Sequence, residues 1–284
     1  MTRWFDEFLR CPDCGAALEI SSGARCLNCQ FFDPGNRDLR STKGRSVQMQ
    51  LQRGMRVDPT DAIGGIDTSH PKITYAGPFA TRDSRELMSE VALRLPDGGR
   101  VLDLGCGPRD QAAPLEYLGF KYVGVDFSNG AADFLADAHS LPFADSTFDC
   151  VFSYAVLEHL HNPFVALAEV VRVLKPGGWF IGTVSQGEPF HASFFHHTLW
   201  GLFALGNAVP EMRLVRAWDS MDTIESLSAM GRYPRAIRAM LGYVDWLHRV
   251  LPWLAPRRMK LPERDKQVDR LHRAGSICFS YFRA

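Results

Sequence analysis

Two groups of residues in this chain have the types and spacing that chemistry requires. The first is Cys11-Pro12-Asp13-Cys14 and Cys26-Leu27-Asn28-Cys29, two C-x-x-C pairs separated by eleven residues. Each pair suits a tight turn, and four thiolates brought together offer a tetrahedral set to zinc. Four cysteine ligands leave no open position for a substrate, so the role would be structural. A metal-free remnant and a redox disulfide are the competing readings. The second group lies within Arg100–Asp126. Arg100–Leu104 is an apolar run that ends in Gly105-Cys106-Gly107, where the backbone can bend sharply and approach a ligand closely. Lys121–Asp126 is a second run ending in an acid, 19 residues after Gly107. An acid at that distance suits the hydroxyls of a ribose. Pro108-Arg109-Asp110 stands where a dinucleotide fingerprint would place its third glycine, which argues against pyrophosphate binding.

Such residues must be positioned by strands that alternate with helices. Thr81–Leu95 reads as a helix capped by Thr81, with Leu87, Val91 and Leu95 on one face, and Pro96-Asp97-Gly98-Gly99 ends it. Pro108–Leu118 reads as a short helix weakened by Pro114. Only Phe127–Ala132 separate the second strand from the next, Asp133–Ala138, which is too short for a crossover helix. Phe148–Ser153 is the fourth strand. Asn162-Pro163 caps a helix whose apolar face is Ala166, Val170, Val171 and Leu174; Lys175-Pro176-Gly177-Gly178 stops it, and Trp179–Val184 follows as a fifth strand.

With these elements in place, a family resemblance emerges. Val101-Leu102-Asp103-Leu104-Gly105-Cys106-Gly107 resembles the first motif of class I S-adenosylmethionine (SAM) methyltransferases of the type 11 kind. The resemblance continues in order through Val123–Asp126, Asp137–Phe143, Phe148–Val151, Leu157-Glu158-His159 and Arg172–Gly178. It implies an α/β fold with a Rossmann-like, mostly parallel sheet and an antiparallel last strand. It also implies SAM as cofactor, held by Asp103, Gly105, Gly107, Asp126, Phe127, Asp137, Ala138 and Ser153. Asp126 would grip the ribose, Asp137 and Ala138 would read the adenine edge, and Phe127 would lie against the adenine face or simply pack. The turn before 108–118 and that helix's N-terminus would receive the SAM carboxylate. A hydroxyl acceptor benefits from a base with a pKa near the working pH, and histidine fits. His159 and His161 follow the fourth strand, where some small-molecule O-methyltransferases of the family carry a catalytic histidine. His191, His196 and His197 are weaker candidates, and Cys106, Cys150 and Cys278 read as inert buried thiols.

Three regions follow: residues 1–36 as a zinc ribbon with its own core, 37–80 as a basic linker, and 81–284 as the methyltransferase domain. The linker's Arg37, Arg40, Lys43, Arg45, Arg53 and Arg56 read as solvated charges. Met212–Trp218 and Ser276–Arg283 read as the last strands, with 220–273 a helical insertion or cap between them. Residues 189–210 contain no Asp, Glu, Lys or Arg; Phe190, Phe194, Phe195, Trp200 and Phe203 suit a lid or buried helix over an apolar acceptor. Residues 230–260 hold seven Lys or Arg against one acid, with Trp246 and Trp253 near a stripe of Ile237, Met240, Leu241, Val244, Leu247 and Leu251. That stripe suits either a soluble cap or a helix lying on a membrane surface.

Composition narrows the function. The chain has 284 residues, 46% hydrophobic and 23% charged, with net charge zero, so no global field draws it to nucleic acid. The N-terminus has no apolar signal stretch, which makes the cytoplasm the expected location, with peripheral membrane contact as an alternative. The leading expectation is methyl transfer, at oxygen, to a small or lipophilic acceptor: a secondary metabolite, a glycan or lipid-linked sugar, or a quinone-like ring. One alternative is an rRNA guanine methyltransferase, since a zinc ribbon ahead of this domain resembles the large-subunit enzymes and the basic linker suits phosphates. The other is a zinc scaffold that binds SAM without catalysis.

Overall fold

The structure is a computed structural model. It describes residues 3–21, 23–35, 37–42, 63–78, 82–188, 192–222, 226–227, 234–250 and 263–284. The described elements are, in chain order, β1 (Leu18–Ile20), β2 (Ala24–Cys26), β3 (Phe32–Asp33), α1 (Arg82–Arg94), β4 (Gly99–Leu104), α2 (Ala112–Tyr117), β5 (Phe120–Asp126), β6 (Phe134–Leu135), β7 (Phe148–Tyr154), α3 (Pro163–Val173), β8 (Leu174–Ser185), α4 (Leu199–Asn207), β9 (Met212–Asp222), α5 (Arg235–Val250), α6 (Glu263–His272) and β10 (Ala274–Arg283).

Seven strands form one sheet in the order β6-β5-β4-β7-β8-β10-β9. Pairings from β6 to β8 are parallel, and β10 runs antiparallel to both neighbours. Residues 101–104, 122–125 and 150–152 are buried on both faces, as the middle of a parallel sheet must be. Their side chains alternate between two cores. Leu102, Val123 and Val151 enter one, which α3 and α4 cover with Leu167, Val170 and Leu202. Val101, Tyr122, Cys150 and Phe152 enter the other, which α1 covers with Leu87, Met88 and Val91. Asn162 caps α3 by accepting the Val165 N–H at 3.3 Å, with Pro163 at the first turn.

The N-terminal residues form a three-stranded antiparallel sheet, β1-β2-β3. The expectation of a separate core here is corrected. Phe5, Leu9, Leu18, Phe31 and Leu39 belong to the same buried cluster as Phe134, Phe143 and Phe148 of the large sheet and its flank. Trp4 packs edge-on against Phe148 at 6.4 Å and Phe5 against Phe134 at 5.3 Å. So short a segment cannot enclose apolar side chains on both sides, and it borrows the neighbouring surface. Arg10 N–H donates to the Pro142 carbonyl at 3.0 Å and Ala144 N–H to that of Phe8 at 2.8 Å, which locks the two together.

Both described ends of the expected linker are also built into the fold. Arg37 donates to the carbonyls of Gly130 and Ala132, and Arg40 to that of Phe127, so these two charges also anchor the segment to the fold while remaining in contact with solvent. In 63–78, Asp67 pairs with Arg216 of β9 at 2.5 Å, and His70 bridges Glu86 of α1 and Asp219 of β9 at 3.2 and 3.0 Å.

Pro114 and the turns before it shorten the helix expected over 108–118 to the six residues of α2. No helix links β5 to β6. The stretch 189–210 divides: 192–198 are irregular, while α4 packs inward through Leu199, Leu202 and Leu205, with Trp200 and Phe203 against the same core. On α5, Ile237, Met240 and Val244 of the stripe are exposed, as are Tyr243 and Trp246 beside it, while Leu241 and Leu247 are half-buried. No described helix is long and apolar enough to cross a membrane. The expectations for Thr81, Phe190, His191, Leu251, Trp253 and the linker's Lys43, Arg45, Arg53 and Arg56 lie outside the described residues.

Candidate functional site

A cleft of about 630 Å³ opens at the C-terminal ends of β4, β5 and β7, where open α/β sheets place their ligands. Gly105 begins it. The residue sits at φ 71°, and a Cβ there would come within 2.3 Å of a Val156 methyl, so only glycine lets these two strand ends meet. Its N–H and that of Cys106 donate to the Val125 carbonyl at 2.8 and 2.9 Å, which carries the turn across the end of β5. Arg109 follows, also with positive φ, paired with Asp133 at 2.5 Å.

Asp126 ends β5 on the cleft wall. Its carboxylate accepts three backbone N–H groups: Gly107 at 3.0 Å, Ser128 at 2.9 Å and Asn129 at 2.8 Å. Three fixed donors set its orientation and leave Oδ2, which accepts only the Gly107 N–H, with a lone pair for a ligand hydroxyl. Phe127 lines the cleft beside it and is 60% exposed. Asp137 and Ala138 lie on the same wall. Asp137 is engaged from its own turn, accepting the His139 backbone N–H at 2.9 Å and lying 2.6 Å from His139 Nδ1. The His139 hydrogen bond holds its carboxyl below the usual carboxylate range.

Histidines line the same cleft. His159 ends a single 3-10 turn, Leu157–His159, and His161 follows two residues later; both are exposed and line the cleft. His139 joins them, with its ring 4.0 Å from that of His161. Asn162 N–H donates to His139 Nε2 at 3.3 Å, so the His139 proton sits on Nδ1 and points to Asp137. His139 was not singled out in the sequence. Its signal was the Asp-x-His spacing, in which the acid can bond both the backbone and the ring two residues on. Phe194 closes this end, held by its N–H to the Glu158 carbonyl at 2.7 Å, with its ring 6.4 Å from that of His161.

Not every expected residue reaches the cleft. Asp103 lies behind it, almost fully buried, with Tyr122 Oη donating to Oδ2 at 2.8 Å, and burial raises its carboxyl to about 7. Gly107 contributes its N–H to Asp126 and is not among the lining residues. Ser153 is fully buried at the end of β7, and its Oγ has no hydrogen-bond partner among the described residues. His196 bonds Gln186 and Ser193, and His197 is buried with its pKa lowered by desolvation. Trp200 is packed against the core, so the described lid residue is Phe194. Cys106, Cys150 and Cys278 are buried, and burial pushes the Cys106 thiol to about 12.

The four N-terminal cysteines converge. Their sulfurs all lie within 4.8 Å of one another, with Cys11 to Cys29 at 3.5 Å and Cys14 to Cys26 at 3.4 Å. A tetrahedral zinc with bonds of about 2.3 Å needs sulfur–sulfur edges of about 3.8 Å, so the set fits a closed zinc site.

Comparison with known proteins adds the following. The family model described as a methyltransferase domain matches residues 102–182. The demethylmenaquinone methyltransferase of Renibacterium salmoninarum is 31% identical over 60% of this chain and 81% of its own length. The ubiquinone/menaquinone biosynthesis C-methyltransferase of Desulfotalea psychrophila is 32% identical over 47% of this chain and 62% of its own. The crystal structure of 1,6-didemethyltoxoflavin-N1-methyltransferase from Burkholderia thailandensis is 17% identical, covers 72% of this chain and 79% of its own, and gives a TM-score of 0.44.

Proposed function

The chain belongs to the class I SAM-dependent methyltransferases, and from that premise we propose that its acceptor is a small, lipophilic molecule with a hydroxylated, quinone-like ring. The observation that carries this reading is a cleft whose lining gathers an oriented carboxylate, histidines and aromatic rings. Asp126, fixed by three N–H groups, lines it together with Phe127, His159, His161 and Phe194. The carboxylate suits a ribose, and the histidines with Phe194 suit a ring with a hydroxyl.

SAM supplies the electrophilic methyl group when bound. In this reading Asp126 would hold its ribose, Asp137 and Ala138 its adenine edge, and Phe127 its adenine face. Gly105 and Gly107 shape the turn that lets backbone come close, and Asp103 supports β4 from behind. Phe194 and Leu160 exclude water from the acceptor end and orient the ring, which are the main demands of a transfer between two held groups. His159 or His161 takes the acceptor's hydroxyl proton. Removal of that proton raises electron density at the oxygen and at the adjacent ring carbon. The relatives named for quinone methylation, one of them as a C-methyltransferase, favour the carbon over the oxygen expected from the sequence.

Two further parts belong to the reading. The four cysteines hold one structural zinc, as their convergence supports. The exposed stripe of α5, amid the basic excess of 230–260, rests on an anionic membrane where a lipophilic acceptor resides. Sedimentation with vesicles at low salt decides that part: equal binding to anionic and neutral vesicles contradicts it. For the acceptor, the purified protein is incubated with methyl-labelled SAM and a reduced naphthoquinol. A singly methylated ring product is expected, and NMR distinguishes carbon from oxygen; failure to methylate any quinol or phenol tested contradicts the proposal.

A further inference from the structure

The chain that leaves the cysteine cluster returns along the cofactor side of the cleft. Asp13, inside the first C-x-x-C pair, accepts Ser41 Oγ–H at 2.8 Å, Thr42 N–H at 2.8 Å and Thr42 Oγ1–H at 2.7 Å. Asp33 Oδ2 accepts the N–H groups of Arg37 at 2.7 Å and Asp38 at 3.2 Å. Between these two pins the segment extends the sheet beside β6. Leu135 N–H donates to the Arg37 carbonyl at 2.6 Å, and Leu39 N–H to the Leu135 carbonyl at 2.8 Å. Leu39 is fully buried, which fixes the strap's depth.

Arg40 follows and faces Phe127. Asp38 holds its guanidinium with both oxygens, to Nε at 2.8 Å and to Nη2 at 2.5 Å. The other terminal nitrogen donates to the Phe127 carbonyl at 3.3 Å, and the guanidinium carbon lies 5.5 Å from the centre of the Phe127 ring. Phe127 therefore has a cation on its ring and a donor on its backbone while it lines the cleft. A bidentate, planar guanidinium is fixed in a way that a lysine ammonium is not.

We propose that residues 37–42 buttress the cofactor pocket from behind Phe127 and that Arg40 is a positioning residue, holding Phe127 in place to cover the adenine of SAM. This rests on the reading that the cleft binds SAM. The N-terminal cysteine module then takes part in cofactor binding through Asp13 and the strap, without a residue of its own in the cleft.

The test is calorimetry on the full chain with SAM and with adenosine, for the wild type and for Arg40→Ala, Arg40→Lys, Phe127→Ala, Arg40→Ala/Phe127→Ala and Asp126→Ala. Loss of one ring contact and one hydrogen bond corresponds to about 3- to 10-fold. Arg40→Ala is expected to weaken SAM and adenosine by the same factor of that size, with the melting temperature unchanged, and Arg40→Lys to fall between it and the wild type. In the Phe127→Ala background Arg40→Ala should cost clearly less than in the wild type, because the ring contact is already gone and only the hydrogen bond to the residue 127 carbonyl is left to lose; a merely structural role would weaken both backgrounds alike. SAM affinity within twofold of wild type in Arg40→Ala, or equal losses in the two backgrounds, overturns the proposal. Asp126→Ala separates the two levels. If it weakens SAM at least about tenfold while Arg40→Ala does nothing, only the clamp is wrong. If it too has no effect, the cleft is not the cofactor site and the clamp falls with it.

Discussion

Asp103 and Asp126 show how residue type underdetermines role. Both are acids at the ends of neighbouring apolar strands, and both fit the resemblance. Asp103 points into the second core, where Tyr122 and burial claim it; Asp126 is turned to the cleft by three backbone donors. Strand spacing alone cannot tell which acid faces outward. The same limit applies to His159 and His161. Their place after β7 was legible in the sequence, but the close approach of His161 to His139 depends on two loops meeting. A general base contributes roughly 100- to 10,000-fold in rate. One of His159→Ala and His161→Ala is therefore expected to slow single turnovers at least about 100-fold. Rates within about tenfold of wild type in both variants contradict a histidine base and leave positioning to account for the rate.

At the scale of elements, the parallel strands were readable because both faces of their middles are buried, which makes the runs mostly apolar. The single strand β10, antiparallel between β8 and β9, was read by resemblance, and the structure agrees. What sequence patterning missed are contacts between elements far apart in the chain. His70, in a stretch read as linker, ties α1 to β9 through Glu86 and Asp219. Those hydrogen bonds, that to Asp219 first, raise its pKa to about 9 from 6.5. A raised folded-state pKa means that the stabilisation is fully present below about 6.5 and is lost as pH rises through about 9. Its ceiling is about 3 kcal/mol. The melting temperature is expected to fall between pH 6.5 and pH 9.5 by more in the wild type than in His70→Gln. Parallel curves for the two proteins contradict the bridge.

At the scale of the whole molecule, the cysteine module and the methyltransferase sheet share one core, so metal and cofactor are expected to be linked. The C-x-x-C spacing made the cysteine cluster legible, but not the packing: Phe5, Leu9 and Leu39 have no periodicity that announces a distant partner. Metal analysis should find one zinc per chain. Cys11→Ser should lose it and should also weaken SAM binding, because the strap pinned by Asp13 loses its anchor. Unchanged SAM affinity in a zinc-free variant contradicts that linkage. The central claim is methyl transfer from SAM to a small lipophilic acceptor. It is tested most directly by incubating the protein with methyl-labelled SAM and a cell extract, then separating solvent-extractable material, RNA and protein. The account predicts label in the solvent-extractable fraction, dependent on an intact Asp126; label confined to RNA, or transferred nowhere, contradicts it.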